Sequence, residues 1–563
     1  MPLTPQATSP QDMDLSQRLT DAVSTIRHLK DTFKLPSISF GVVHNGAVIL
    51  KQCIGYRDLE NSLPATPDTI YPISSCTKMF TSAGIGLLVA DGKLAWSNRV
   101  SQHLPEFNPV RDPRISAEAD LIDLMRHSMG YSEPTALYLG PDGCHLQDAG
   151  VKGLIPLLNR MRTADKDGQR FNRHWMYANA NFSLAGEIIA RVSGRPYAEF
   201  IHDRILKPLG MDRTVLTKED VDAQAQDGNV VRQYTVLRDG THCQLPANHW
   251  PFKQTTPELP GSGMGSSLND MLTWAMAVLA AEAEEEDNSV SPLKQMRRLR
   301  RAYWTRPPED PESNEAAFGM GWMRMTLPTS MVGAYSGNRC TREAPWKLHL
   351  QPDNILGRES GSRLMIGHSG GAIGGIATLW TFPETQSAVC ALVNGRALGD
   401  ASDFAAQVLM QALFDLRPRM DLLVWARKEA ELAEAFLEEE VLGPWMANRK
   451  IEDPERELGV YVGQYVGFGG LFALTISMGE DGLAVTFNHV ERARSPLVRF
   501  KKDTYSFFTG DLDHWATGFV LRKHYSETLL EFKVDDAGNA LGLWWTWNKD
   551  EQRAWLGRVD GLC

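Results

Sequence analysis

Apolar and polar residues along this chain follow two different periods, and the place where one gives way to the other divides it. From Leu15 to Phe33 apolar residues recur every three or four positions, which predicts an amphipathic helix. The next stretch, SISFGVVHNGAVILKQCIGYRD, holds two β-rich runs joined by His44-Asn45-Gly46. Asn-Gly between such runs predicts a hairpin, because both turn residues must take positive φ. Residues 75–92 read as a mostly apolar, hence buried, helix ending at Asp91-Gly92. The pattern stays helical from about 115 to 215, with Asn181–Val192 stopped by Gly194 and Pro196. A further helix, Asn269–Ala283, runs into the acidic cluster Glu282–Asp287, followed by basic Lys294–Arg301. That pair reads as a solvated, salt-bridged surface excursion. Residues 327–362 carry few signals of either period and predict a long loop region. ATLWTFPETQSAVCALVNG then gives two strands around Pro383-Glu384-Thr385.

Sheet signals thus bracket a helical middle. They predict an α+β fold in which both ends of one domain build an antiparallel sheet, flanked by helices and carrying an inserted helical subdomain. LLVWARKEAELAEAFLEEE, near 420–440, looks like a connecting helix. After Pro454 short alternating segments separated by Gly/Asp turns predict a separate all-β domain, a small barrel or sandwich. The expected layout is a mobile tail at 1–14, a first domain at 15–419, a connector at 420–450 and a β-barrel-like domain at 451–563. Trp515, Trp544, Trp545, Trp547 and Trp555 fall in that last domain, where core packing accounts for them.

Composition narrows the function classes. The 563 residues are 43% hydrophobic and 23% charged, with a net charge of −11, as in ordinary globular proteins. The acidic balance argues against nucleic acid as a partner. No basic start, apolar leader or membrane-length apolar run is present, so no membrane association is expected. Seven scattered cysteines, an odd number, read as reduced thiols of a cytoplasmic protein. No CxxC or HExxH occurs, so no metal or other cofactor is expected. A homodimer is compatible with the sequence, which does not fix the oligomeric state.

Three short elements carry candidate chemistry. In Ser75-Cys76-Thr77-Lys78 the i, i+3 spacing puts hydroxyl and amine on one helix face. A Ser at a helix N-terminus has backbone N–H groups beside it, and a Lys among apolar neighbours becomes a base near neutrality. The plain alternative is an N-cap Ser with a snorkelling Lys. In Tyr177-Ala178-Asn179 the phenol can relay a proton and the amide can orient a carbonyl, against a core Tyr beside a capping Asn. Gly367-His368-Ser369-Gly370-Gly371 lets a strand approach a ligand closely and offers a backbone N–H, against a merely Gly-rich strand. The same pentapeptide fits G-x-S-x-G, making Ser369 a rival nucleophile, although that motif needs strand, turn, helix and no helix follows here.

Together and in this order, the three elements resemble the serine β-lactamase and penicillin-binding-protein family, in its broad class C branch of esterases, D-aminopeptidases and acyltransferases. TIYPISSCTKMFTSAGIGLLVADGKL, DLIDLMRHSMGY, YANANFSLAGEIIARVSGRPYAEFI, PGSGMGSSLNDMLTWA and GHSGGAIGG carry the likeness, which covers residues 20–415, or 396 of 563. It implies a β-lactamase/transpeptidase-like fold, and the C-terminal domain is similar to the lipocalin-like domains some members append. It also implies Ser75 as acylated nucleophile, Lys78 as general base, Tyr177 as proton shuttle and Asn179 as substrate contact. The backbone N–H groups of Ser75 and Gly371 become the oxyanion hole. One departure stands out: where β-lactamases carry Lys-Thr/Ser-Gly, this chain has His368-Ser369-Gly370. A permanent cation gives way to a side chain that is mostly neutral near pH 7, which points away from lactamase and peptidoglycan-peptidase activity.

The expected function is therefore a serine hydrolase cleaving an ester or amide of a small, rather apolar molecule, with Trp175 beside Tyr177 favouring an apolar acyl group. An acyltransferase or cyclising transesterase of secondary metabolism uses the same acyl-enzyme. An α/β-hydrolase centred on Ser369, or a non-catalytic scaffold on the same fold, are the remaining readings.

Overall fold

A computed structural model describes residues 14–559, apart from 142, 147–150, 246–249, 285–290, 308–312, 331, 333–335, 337, 339–354, 373, 396–397, 453–455, 519–523 and 550. The predicted tail falls outside the described residues except for Asp14. Asp14 is a helix cap, its carboxylate accepting the Gln17 N–H at 2.8 Å at the start of α1 (Leu15–Thr32).

The hairpin forms where Asn45-Gly46 placed it, with φ of +51° and +75°, between β1 (Ser37–His44) and β2 (Ala47–Asp58). A nine-stranded antiparallel sheet grows on it from β3 (Leu63–Pro64), β4 (Trp304–Arg306), β5 (Ala316–Phe318), β6 (Met323–Leu327), β7 (Arg363–Ala372), β8 (Gly375–Phe382) and β9 (Ser387–Val393). The order is β4-β5-β6-β7-β8-β9-β1-β2-β3, so N- and C-terminal strands meet at β1 and β9, where Phe40 faces Ala391. Alternation sorts the strand residues between two cores. Val389, Ala391 and Val393 pack with α1 and Ala401–Phe414, while Ala388, Cys390 and Leu392 face Leu268–Ala283 and the helical middle.

The middle is helical only in part: its long helix, α3 (Asn179–Ser193), ends on Gly194 at φ +70°, whereas 159–178 forms no helix and holds turns, extended chain and a small hairpin of Ala164–Asp165 against Gly168–Gln169. The expected ion pairing of the acidic and basic stretches forms at Arg300, 3.3 Å from Glu282, but the expected solvation fails there. Its guanidinium is fully buried, 4.7 Å over the Trp322 ring and 2.6 Å from Thr381 Oγ1. The basic stretch is therefore partly a core anchor, since Arg lays a planar cation on an aromatic face. Most of the 327–362 loop region, and 285–290 of the acidic cluster, lie outside the described residues.

The connecting helix runs over Leu422–Phe436 and continues to Asn448, where Trp445 packs on Phe500 and Phe508. Beyond it eight strands between Gly463 and Val559 close a barrel filled by residues such as Tyr465, Phe472, Phe532 and Trp545. Core packing accounts for Trp515, Trp545 and Trp547 but not for Trp544 and Trp555. These two are 38% and 37% exposed and pair ring to ring at 5.1 Å across neighbouring strands on the barrel exterior. Among the described residues no helix is long and apolar enough to cross a membrane.

Candidate active site

Ser75 sits in a tight turn, Ser74–Cys76, that feeds α2 (Thr77–Ala90). Ser74 before it is held at φ +46°, a left-handed conformation that side chains other than glycine and asparagine disfavour. Such strain recurs at functional sites because the surrounding structure must enforce it. Here the enforcing neighbour is β7, for a Cβ on Gly370 would stand 2.2 Å from Ile73 O and 2.7 Å from Ser75 N. Only glycine lets the strand touch the turn.

Lys78, one helical turn on, has no solvent exposure. Its Nζ lies 3.1 Å from Ser75 Oγ, 2.6 Å from Asn179 Oδ1 and 2.8 Å from Gly261 O. Burial pulls its pKa down to about 7, against an opposing pull from the buried Glu133. A neutral amine has two N–H bonds and one lone pair. The two permanent acceptors, Asn179 Oδ1 and Gly261 O, can take the N–H bonds, which leaves the lone pair for the Ser75 hydroxyl.

Tyr177 lies with its ring 4.8 Å from Lys78 Nζ, and its phenol is a hydrogen-bond neighbour of Ser75. Burial raises the phenol's pKa, so it stays protonated near neutral pH and can hand a proton on. Asn179 opens α3, and its amide faces Lys78. His368 on β7 is buried, and burial together with the Lys78 charge holds its pKa down to about 3. Its Nδ1 lies against the Ser369 carbonyl, so that nitrogen carries the proton and the ring is neutral.

Ser369 is half-buried in mid-strand, opposite Thr378, and β7 passes it without turning into a helix. The strand–turn–helix that the G-x-S-x-G reading requires is not formed. Gly371 is exposed, and among the described residues the nearest atom to a Cβ built on it is Ile376 Cγ2 at 4.0 Å. Trp175 packs on Tyr177 and Phe318, at 5.9 Å and 5.4 Å between ring centroids. With Trp304, Thr305, Arg306, Pro307 and Phe318 it lines a depression of about 320 Å³. Cys76 is buried against β7, its thiol 3.3 Å from His368 O.

The site also holds groups that sequence reasoning passed over. Glu133 accepts the backbone N–H groups of Asn179 and Ala180 and the Tyr138 hydroxyl, and burial raises its own pKa. His127, at φ +64°, stacks on Tyr177 at 4.4 Å and accepts the Ala178 N–H at 3.1 Å through Nδ1. Gly261 supplies the carbonyl on Lys78. DLIDLMRHSMGY and PGSGMG contain two of these residues, but their contacts join positions 51 and 183 residues apart.

An antiparallel sheet clasped by helices, with a Ser–Lys pair at a helix start facing a Tyr-x-Asn segment and a glycine-rich strand, defines the β-lactamase and penicillin-binding-protein class of fold. The Beta-lactamase family model matches residues 22–413, and the chain belongs to that family. The chain is 27% identical over 270 residues to a D-aminopeptidase of Brucella anthropi, covering 46% of each. It is 24% identical over 311 residues to an unguisins hydrolase of Aspergillus campestris, covering 54% of each. It therefore spans only about half the length of these relatives. The octameric penicillin-binding protein homologue from Pyrococcus abyssi shares the fold, with a TM-score of 0.54 and 20% identity over 97% of this chain and 100% of that one.

Proposed function

We propose that the protein is a serine acyl hydrolase that forms an acyl-enzyme on Ser75. Lys78 takes the hydroxyl proton as Ser75 attacks the carbonyl of an ester or amide. Tyr177 passes the proton to the leaving oxygen or nitrogen, and the N–H groups of Ser75 and Gly371 hold the oxyanion. Water then attacks the acyl carbon, the proton returns, and the acid leaves. The observation that carries this reading is the buried Lys78 amine, 3.1 Å from Ser75 Oγ with two fixed acceptors for its N–H bonds. The aromatic depression at Trp175, Trp304 and Phe318 supports a small, rather apolar acyl group. Hydrolysis is favoured over transfer to an alcohol or amine because two similar proteins are named an aminopeptidase and a hydrolase.

The test is hydrolysis of an activated ester, followed from the first turnover. A burst of leaving group equal to the enzyme, lost in Ser75→Ala and slowed at least about a thousandfold in Lys78→Ala, is the expected result. Unchanged rates in either variant overturn the reading. Adding an acceptor amine and finding acyl-amine as the main product reassigns the second step to transfer.

A further inference from the structure

We propose that the C-terminal barrel positions the Ser75 centre through one carboxylate, that of Glu551, by tying together the two chain segments that lead to Glu133 and to Tyr177. The inference rests on the Ser75 reading for its catalytic consequence.

Glu551 lies between the last two barrel strands, Ala540–Trp545 and Ala554–Val559, and its side chain is 4% exposed. Its Oε1 accepts from Ser132 Oγ at 2.5 Å and from Arg170 Nη1 at 3.0 Å. Arg170 is itself buried, with Asp165 as a second, more distant anion at 3.5 Å. A buried carboxylate bridging a cation and a hydroxyl makes a short, directional tie, and leaving either charge unpaired there is costly.

Each partner stands at the head of a path to the site. Ser132 precedes Glu133, whose carboxylate fixes the N-terminus of α3, and Asn179 there holds Lys78. Arg170 begins the run to Trp175 and Tyr177. The two segments also lie backbone to backbone. Asn172 N–H donates to Ser128 O at 3.0 Å, and Met176 N–H to His127 O at 2.8 Å. Gly130, at φ +84°, passes so close that a Cβ there would stand 2.6 Å from Phe171 N. Docking of the barrel does not depend on Glu551 alone. Asn488 Nδ2 donates to Leu146 O at 2.6 Å, and Arg238 N–H to Asp513 at 2.8 Å. The Ser132–Glu551–Arg170 bridge is the contact aimed at the site.

The test compares Glu551→Ala, Glu551→Gln and the docking control Asn488→Ala by hydrogen exchange and by ester kinetics. In Glu551→Ala, exchange rises in peptides covering 127–134 and 170–178, kcat falls about 10- to 100-fold, and KM stays within about threefold. Glu551→Gln, which keeps the volume and one acceptor oxygen, falls between Glu551→Ala and the parent and carries the test should the alanine variant not fold. The pH midpoint of kcat/KM also moves down as Glu133 draws away from Lys78. Cys76, Tyr177, His127 and His368, the other titratable groups around that amine, are left in place. Asn488→Ala leaves kcat and the midpoint at parental values. Unchanged exchange in the Glu551 variants overturns the proposal, and so does raised exchange with parental kcat and midpoint. If the parent shows no acylation of Ser75, the functional reading falls, while the exchange data still decide whether Glu551 holds the two segments.

Discussion

Replacing Gly370 by alanine perturbs the site at its narrowest seam. The added Cβ meets Ile73 O at 2.2 Å, Ser75 N at 2.7 Å and Cys76 N at 3.0 Å, and all three are backbone atoms. Carbon does not approach backbone oxygen inside roughly 3.0 Å, so β7 and the Ser75 turn must separate by about 0.8 Å. The proposed oxyanion donors lie on opposite sides of that seam, Ser75 on the turn and Gly371 on the strand. A donor that moves from about 2.9 Å to about 3.7 Å has lost its hydrogen bond. Losing one oxyanion donor costs about 10²–10³ in kcat, or about 3–4 kcal/mol of transition-state stabilisation. Overpacking the seam costs about 1–3 kcal/mol of stability as well. The assay is kcat for an activated ester, with near-ultraviolet circular dichroism to establish folding. A folded Gly370→Ala protein with kcat within about threefold of the parent refutes the reasoning. Gly371→Ala, which among the described residues meets only Ile376 Cγ2, at 4.0 Å, is the matched control for stability and unfolds like the parent.

Three further predictions concern charge and packing. In the proposed mechanism Lys78 takes the Ser75 proton only as the free amine, so kcat/KM is expected to rise with pH as the ammonium deprotonates, with a midpoint of about 7. His368, held down to about 3, adds no second limb near the usual histidine value, and a flat profile from about pH 5 to 9 contradicts the account. With a buried neutral His368 in place of a lysine, a chromogenic cephalosporin is turned over poorly, and efficient turnover shows that the inference from His368 is wrong. In urea unfolding, Trp545→Ala costs about 3–5 kcal/mol while Trp544→Ala and Trp555→Ala each cost less than about 1 kcal/mol, and equal losses refute the assignment of faces.

Local chemistry made much of this molecule legible in its sequence. Asn45-Gly46 forces its hairpin because both residues must turn left-handed, and Gly194 ends α3 for the same stereochemical reason. Ser75 and Lys78 meet because three residues are nearly one helical turn. What stayed hidden depends on distant partners. Nothing local marks Glu133, in the turn-like Ser-Glu-Pro-Thr, as the acid beneath α3, and nothing marks Gly261 O as the acceptor on Lys78. Arg300 looked solvated because its neighbours are basic, and only the fold brings Trp322 beneath it. Adjacent residues in a strand face opposite sides, so Trp544 and Trp545 cannot both fill the barrel.

The most direct measurement of the central claim is to react the protein with a fluorophosphonate and locate the adduct by peptide mass spectrometry. A single adduct on Ser75, abolished in Ser75→Ala and much slowed in Lys78→Ala, is the expected result. An adduct on Ser369, or none on any serine, contradicts the claim.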